Sequence, residues 1–294
     1  MRRLIALSCA VAVTTGVLVA PSAHAVPTYT RYVALGDSYT SSTGFQTAPT
    51  SQFVPLGCAQ SPKDYPHQVA ALLHVASFVD ASCGGSTSAN LAGPQSTPYG
   101  TNPPEFDRLT ADTDLVTLGI GGNDIGLVGL AVTCVLASVV LQSCKAMYVK
   151  NGVDTISAKI AATESLIEAD IAGIRARSPH ARIFVVNYLD AVPNTGHACR
   201  PWVPLSPTDM AWFTAKYKEM NAMLAVAAAA GGVEVADTYT PTIGHDVCKG
   251  PTVRYVEGLT VASLNPPANI AAPLHPNLAG ANAQSRIVYY AVTH

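Results

Sequence analysis

Short apolar runs alternate along this chain with longer segments whose apolar residues recur at helical spacing. Val33 to Leu35 is the first run, and Tyr65 to Leu73 (Tyr-Pro-His-Gln-Val-Ala-Ala-Leu-Leu) predicts a helix with Pro66 in its first turn, where a missing N–H is tolerated. Val75 to Val79 predicts a returning strand. Asp114 to Ile120 predicts another, followed at once by Gly121-Gly122-Asn123-Asp124 and a long apolar stretch of helical character. Asp154 to Ser178 carries Ile156, Ile160, Ile167, Ile171 and Ile174 near one face, and Pro179 stops it. Arg182 to Asn187 reads as a buried strand, Thr208 to Ala229 as a helix ending before Gly231-Gly232, Val233 to Ala236 as a fifth strand and Leu278 to Tyr290 as a closing helix. Apolar strands alternating with helices predict a parallel sheet covered on both faces, hence an α/β fold built as a three-layer α/β/α sandwich. The irregular stretches 39–62, 84–104, 188–206 and 238–275 are expected on the surface.

The ends change the picture. Residues 1–25 read as an export signal: Arg2 and Arg3 are basic, Leu4 to Ala20 is largely apolar, and Ala23-His24-Ala25 fits a cleavage site. The apolar run is short, carries Ser8, Cys9, Thr14 and Thr15, and ends at Pro21, so a retained membrane anchor is not expected. The mature chain, 26–294, is expected to be a single secreted domain and a monomer. The whole sequence has a formal charge of −2, and losing Arg2 and Arg3 makes it more acidic; without basic clusters, nucleic-acid binding is not expected.

Cys58, Cys83, Cys134, Cys144, Cys199 and Cys248 lie beyond the signal. An even number in an exported chain argues for disulfides. Several pairings are open, and the sequential one (58 with 83, 134 with 144, 199 with 248) is expected because each bridge closes a local loop. No Cys-x-x-Cys pair, His-Glu-x-x-His helix or calcium loop is present, so neither metal nor cofactor is expected.

Three strand ends carry suggestive turns: Gly36-Asp37-Ser38, Cys83-Gly84-Gly85-Ser86 and Gly121-Gly122-Asn123-Asp124. A parallel sheet brings such turns to one edge, where open α/β folds place their ligands. A serine there needs a base and oxyanion donors, and glycine N–H groups with an asparagine amide suit the second need. Among the histidines, His67, His74, His180 and His294 read as surface or packing residues. His275, in Pro273-Leu274-His275-Pro276-Asn277 before the last helix, suits a reaching base, and His197 and His245 occupy loops that could line the cleft.

Taken in order, Gly36-Asp37-Ser38-Tyr39, Gly85, Gly121-Gly122-Asn123-Asp124 and His275-Pro276-Asn277 resemble the blocks of the SGNH/GDSL hydrolases, particularly their secreted bacterial esterase and lipase branch with three disulfides. The likeness spans residues 31 to 277. It implies a flavodoxin-like sheet, Ser38 as nucleophile, His275 as base, and an oxyanion hole from Ser38, Gly85 and Asn123. Tyr39 replaces a leucine of the family pattern, outside the chemistry. Ala272 stands where the family usually has an aspartate, leaving no acid at that position. A triad acid orients the imidazole and stabilises its cation, and an acceptor-only backbone carbonyl also selects the right tautomer. A carbonyl near Ala272 and Pro273 is therefore expected to orient His275; a distant acid, Asp190, Asp237 or Asp246, is the alternative.

The expected function is a secreted serine esterase or lipase cleaving fatty acyl esters, whether small molecules or lipids at a surface. Residues 126–141 are unusually apolar, read either as an acyl-chain groove or as a plain buried helix, with Phe45, Phe53, Trp202 and Val203 on candidate rim loops. A carbohydrate deacetylase, or an inactive lipid- or glycan-binding module, is the alternative.

Overall fold

The computed structural model describes residues 27–41, 48–258 and 271–294; the expected signal and Phe45 lie outside them. Among the described residues, β1 (Arg31–Gly36), β2 (Ser77–Asp80), β3 (Leu115–Gly119), β4 (Arg182–Val186) and β5 (Glu234–Ala236) form one parallel sheet, ordered β2-β1-β3-β4-β5. After β1 the chain steps outward to β2, then returns to β3 on the other side of β1. That reversal opens a crevice at the C-terminal ends of β1 and β3, which register as Gly36 beside Gly119.

Alternation along β1 sorts its side chains into two cores. Val33 and Leu35 join the larger one, with α7 (Thr155–Arg177) and α8 (Pro207–Ala230). Tyr32 and Ala34 join the smaller one, with α2 (Tyr65–Leu73) and α9 (Leu278–Thr293). The layers follow from sequence. In α7, Ile156, Ile160, Ile167, Ile171 and Ile174 are all buried, each contributing about 1.5–3 kcal/mol of hydrophobic transfer. Asp154, Ser206 and Asn277 cap α7, α8 and α9 by accepting N–H groups of the first turn.

Two expectations need correction. The second strand begins at Ser77, not Val75, because His74 takes a left-handed cap conformation (φ 52) and the Val75 N–H still bonds back to Ala70 O. The apolar stretch after β3 is not a plain buried helix. Gly126, at φ 79, separates α4 (Gly122–Ile125) from α5 (Leu127–Val139). One face of α5 buries Leu127, Leu130, Ala131 and Cys134, while Val128, Val132, Leu136 and Val139 face solvent, Leu136 64 % and the following Leu141 92 % exposed. An apolar helix is ordinarily buried all round, so the exposure of this face sets α5 apart from the other helices.

Cys58 is joined to Cys83, Cys134 to Cys144 and Cys199 to Cys248. Among the described residues, no helix is long and apolar enough to cross a membrane.

Candidate active site

Gly36 ends β1 at φ 150, where an added Cβ would lie 2.4 Å from Gly119 O and 2.4 Å from Thr40 Oγ1. Only glycine lets the ends of β1 and β3 approach so closely. Asp37 N–H then bonds Gly119 O at 2.9 Å, and Ser38 opens α1 (Ser38–Ser41). The chain therefore turns sharply and presents Ser38 at the crevice.

The Ser38 hydroxyl lies 2.7 Å from His275 Nε2, and His275 Nδ1 lies 2.8 Å from the Pro273 carbonyl oxygen. A carbonyl only accepts, so Nδ1 carries the proton and Nε2 turns its lone pair to the hydroxyl. Burial pushes the His275 pKa below its ordinary value, and the Pro273 bond offsets part of that. Of the two carbonyls expected near the base, Pro273 O takes the ring and Ala272 O takes the His275 backbone N–H at 3.0 Å.

None of the alternative acids bonds His275, whose Nδ1 is taken by Pro273 O. Asp190 accepts Gly244 N–H, Asp237 the Asn187 amide, and Asp246 the Cys248 N–H. His197 bonds Thr195, and His245 bonds Val253 O and stacks on Tyr255. Among the described residues, His275 is the histidine that reaches Ser38.

The other two turns meet the first at this edge. Asn123, in α4, donates its side-chain amide to Ser86 O at 2.8 Å. Gly85 is exposed at φ 79, and an added Cβ would meet only Gln95 Nε2 at 3.7 Å, so conformation rather than space requires glycine there. The N–H groups on either side are engaged, Gly84 with Cys58 O and Ser86 with Cys83 O. The Cys58–Cys83 bridge thus helps shape the turn.

Several supporting residues carry no signal in the sequence. Glu105 is wholly buried and accepts Gly36 N–H at 2.7 Å and the Ser86 hydroxyl at 2.6 Å, tying the first turn to the second. Burial raises its pKa well above the carboxylate range. Tyr188 donates its hydroxyl to Asp37 at 2.5 Å and accepts Gly122 N–H at 2.7 Å, tying the first turn to the third. Burial also pushes Asp37 up to about 7, while its bonds to Tyr188 and Tyr39 N–H oppose that rise; it fixes the turn. Tyr39 donates to Leu274 O, and Asn277 caps α9 while its amide holds Arg254 O and Glu257, the buried partner of Arg254. The histidine loop is held at both ends.

An apolar recess is walled by Leu127, Val128, Phe213 and Tyr217 together with Tyr39 and Leu274, the chain neighbours of Ser38 and His275. Of the expected rim residues, Phe53 and Val203 pack inward and Trp202 stays partly exposed. Phe53 packs on Phe78 and His67, Val203 is buried, and Trp202 lies beneath the Arg254 guanidinium.

A crevice at the switch point of a parallel sheet, with a serine hydroxyl against an imidazole of defined tautomer, has the layout of a serine hydrolase. Residues 34–283 match the GDSL-like lipase/acylhydrolase family, and the chain belongs to that family; it is a carboxylic ester hydrolase. It is 31 % identical to Lipase 2 of Streptomyces coelicolor over 88 % of this chain and 86 % of that one. It is also 31 % identical to a lipase of Streptomyces rimosus, over 82 % of each. Among solved structures, phospholipase A1 from Streptomyces albidoflavus superposes with a TM-score of 0.71 at 25 % identity, over 90 % of this chain and 99 % of that one.

Proposed function

We propose that the protein is an exported lipase-type esterase in which Ser38 and His275 form a catalytic dyad oriented by the Pro273 carbonyl. The 2.7 Å contact between Ser38 and His275 Nε2 carries this reading. The Ser38 oxygen attacks the ester carbonyl carbon as its proton passes to Nε2, and the Pro273 carbonyl stabilises the resulting imidazolium through Nδ1–H. The oxyanion is received by the N–H groups of Ser38 and Gly85 and by the Asn123 amide. Collapse expels the alcohol, which takes the proton from His275. A water, deprotonated by the same nitrogen, then cleaves the acyl-enzyme and frees the acid.

Fatty acyl esters at a lipid surface, phospholipids included, are the proposed substrates. The recess that reaches Tyr39 and Leu274 is apolar and takes Leu127 and Val128 from the start of α5, a helix whose outer face, Val132, Leu136 and Val139, is also apolar. No charged residue occurs from 125 to 144. A deacetylase cleft for carbohydrate would be polar. Export is supported by the three disulfides and by the likeness to an extracellular lipase of Streptomyces rimosus.

Fluorophosphonate labelling followed by peptide mapping tests the assignment, with Ser38 the residue modified; an unlabelled Ser38 would overturn it as the nucleophile. A series of nitrophenyl esters tests the substrate class. Efficiency should rise from acetyl to medium and long acyl chains, and a maximum at acetyl would favour the deacetylase.

A further inference from the structure

A second cluster of chemistry-bearing side chains lies outside the ester site. Asp64 is the N-cap of α2, His67 lies in that helix's first turn, and Asp80 ends β2. Both carboxylates are wholly buried, and one potential ligand atom from each of the three residues falls within 4.8 Å of the others. His67 Nδ1 sits 2.7 Å from Asp64 Oδ1 and 3.6 Å from Asp80 Oδ2.

Protein hydrogen bonds satisfy only half of each carboxylate. Asp64 Oδ1 accepts His67 N–H at 3.0 Å, and Asp80 Oδ1 accepts the Ser82 N–H at 3.0 Å and the Ser82 hydroxyl at 2.6 Å. Asp64 Oδ2 and Asp80 Oδ2 are buried with no protein N–H or O–H donating to them, and the two carboxyl groups lie close enough to share a proton, burial raising both pKa values well above the carboxylate range. Among the described residues, no lysine or arginine pairs with either; His67 is their one basic neighbour. Two adjacent buried carboxylates are expensive to keep ionised unless a proton or a cation lies between them.

We propose that Asp64, His67 and Asp80 bind a divalent first-row cation of the Zn²⁺ type as a structural site. Two hard carboxylate oxygens with one borderline imidazole nitrogen are a donor set Zn²⁺ accepts, the imidazole favouring it over Mg²⁺, whereas Ca²⁺ takes six to eight oxygens. Tetrahedral ligands around zinc stand roughly 3.3 Å apart, so the 2.7 Å contact opens and the 3.6 Å one closes by small side-chain rotations. The carboxylates and the ring are already held by packing and hydrogen bonds, although His67 Nε2 has no hydrogen-bond partner of its own. Ser82 holds Asp80, the buried Gln60 amide donates to Asp80 O and Ser82 O, and the His67 ring packs between Phe53 and Phe78. His67 also lines an open recess with Pro62, Lys63 and Gln68, so the cluster lies next to solvent although neither carboxylate reaches that recess. The cation would pin the start of α2 to the end of β2, just ahead of Cys83 and the Gly85 turn.

The test uses the full-length protein, stripped with chelator and dialysed, with Zn²⁺, Mn²⁺ and Ca²⁺ chlorides as probes. Calorimetric titration should show one Zn²⁺ per chain, and the melting temperature should climb with the logarithm of free Zn²⁺. Both responses should vanish in His67→Gln and in Asp80→Asn. Should Asp80→Asn fail to fold, His67→Gln alone decides. A Zn²⁺ response that survives His67→Gln, a response to Ca²⁺ alone, or no response to any of the three overturns the proposal. The last result would assign the buried pair to a shared proton.

Discussion

His275 and His67 are both packed imidazoles whose pKa burial pushes below the ordinary value, yet their Nδ1 atoms face partners of different kinds. His275 meets the neutral Pro273 carbonyl at 2.8 Å; His67 meets the Asp64 carboxylate at 2.7 Å, with Asp80 behind it at 3.6 Å. A carbonyl settles which nitrogen holds the proton and adds no net charge, so Nε2 stays available to take the Ser38 proton. A buried carboxylate pair instead needs a proton or a cation between its two groups. The first environment suits a base, and the second suits an ion.

The largest test of this contrast removes the proposed dyad. Ser38→Ala or His275→Ala should lower kcat on nitrophenyl esters by on the order of 10⁴ to 10⁶, whereas His67→Gln should leave turnover close to that of the parent. Substantial activity in either dyad variant would break the comparison at its catalytic end. Asn123→Ala comes next, with a loss of about 10² to 10³ in kcat and near-parental folding by circular dichroism. Glu105→Ala should act on stability, by stranding Gly36 N–H and the Ser86 hydroxyl at about 1–3 kcal/mol each. Urea unfolding reads that loss, and an unchanged midpoint would show that Glu105 is not the tie between the two turns.

The smallest expected effect is on the pH profile. Ester hydrolysis needs neutral His275, so activity should rise with pH through a midpoint below the ordinary 6.5, because burial disfavours the imidazolium. The sign for folding is the same. The unfolded chain takes the extra proton first, so this contribution to stability is complete above about 6.5 and falls as pH drops through the folded value. Ala272→Asp sharpens the point: a carboxylate near the ring should raise the activity midpoint, and His67→Gln should not move it. A parental midpoint above 6.5 would instead argue that an acid already faces His275.

Much of the fold was legible because its cause is local. The isoleucine spacing of α7 and the apolar runs of β1, β3 and β4 state which faces are buried, and the small errors fell where caps compete with strands, as at His74 and Val75. The segment after β3 was harder. Its composition is apolar throughout, and composition does not say which of two apolar faces a neighbour covers; the outward turn of Val132 and Leu136 depends on where α5 docks. Glu105 and Tyr188 were invisible for a related reason. Each works by reaching two turns far away in the chain, and no spacing rule encodes such contacts.

The sequence by itself determined the alternation of strands and helices, the three glycine-bearing turns, and the presence of Ser38, Asn123 and His275 in an order shared with a hydrolase family. These are properties of residue type and short-range spacing. Only the tertiary structure decided that Pro273, and not a distant aspartate, faces His275 Nδ1, and that Asp80 comes to lie beside Asp64 and His67. Both depend on where strand ends and loops meet in space. A carbonyl orienter leaves no trace in residue identity, because every residue has one, and a ligand set split between a helix start and a strand end has no motif to recognise.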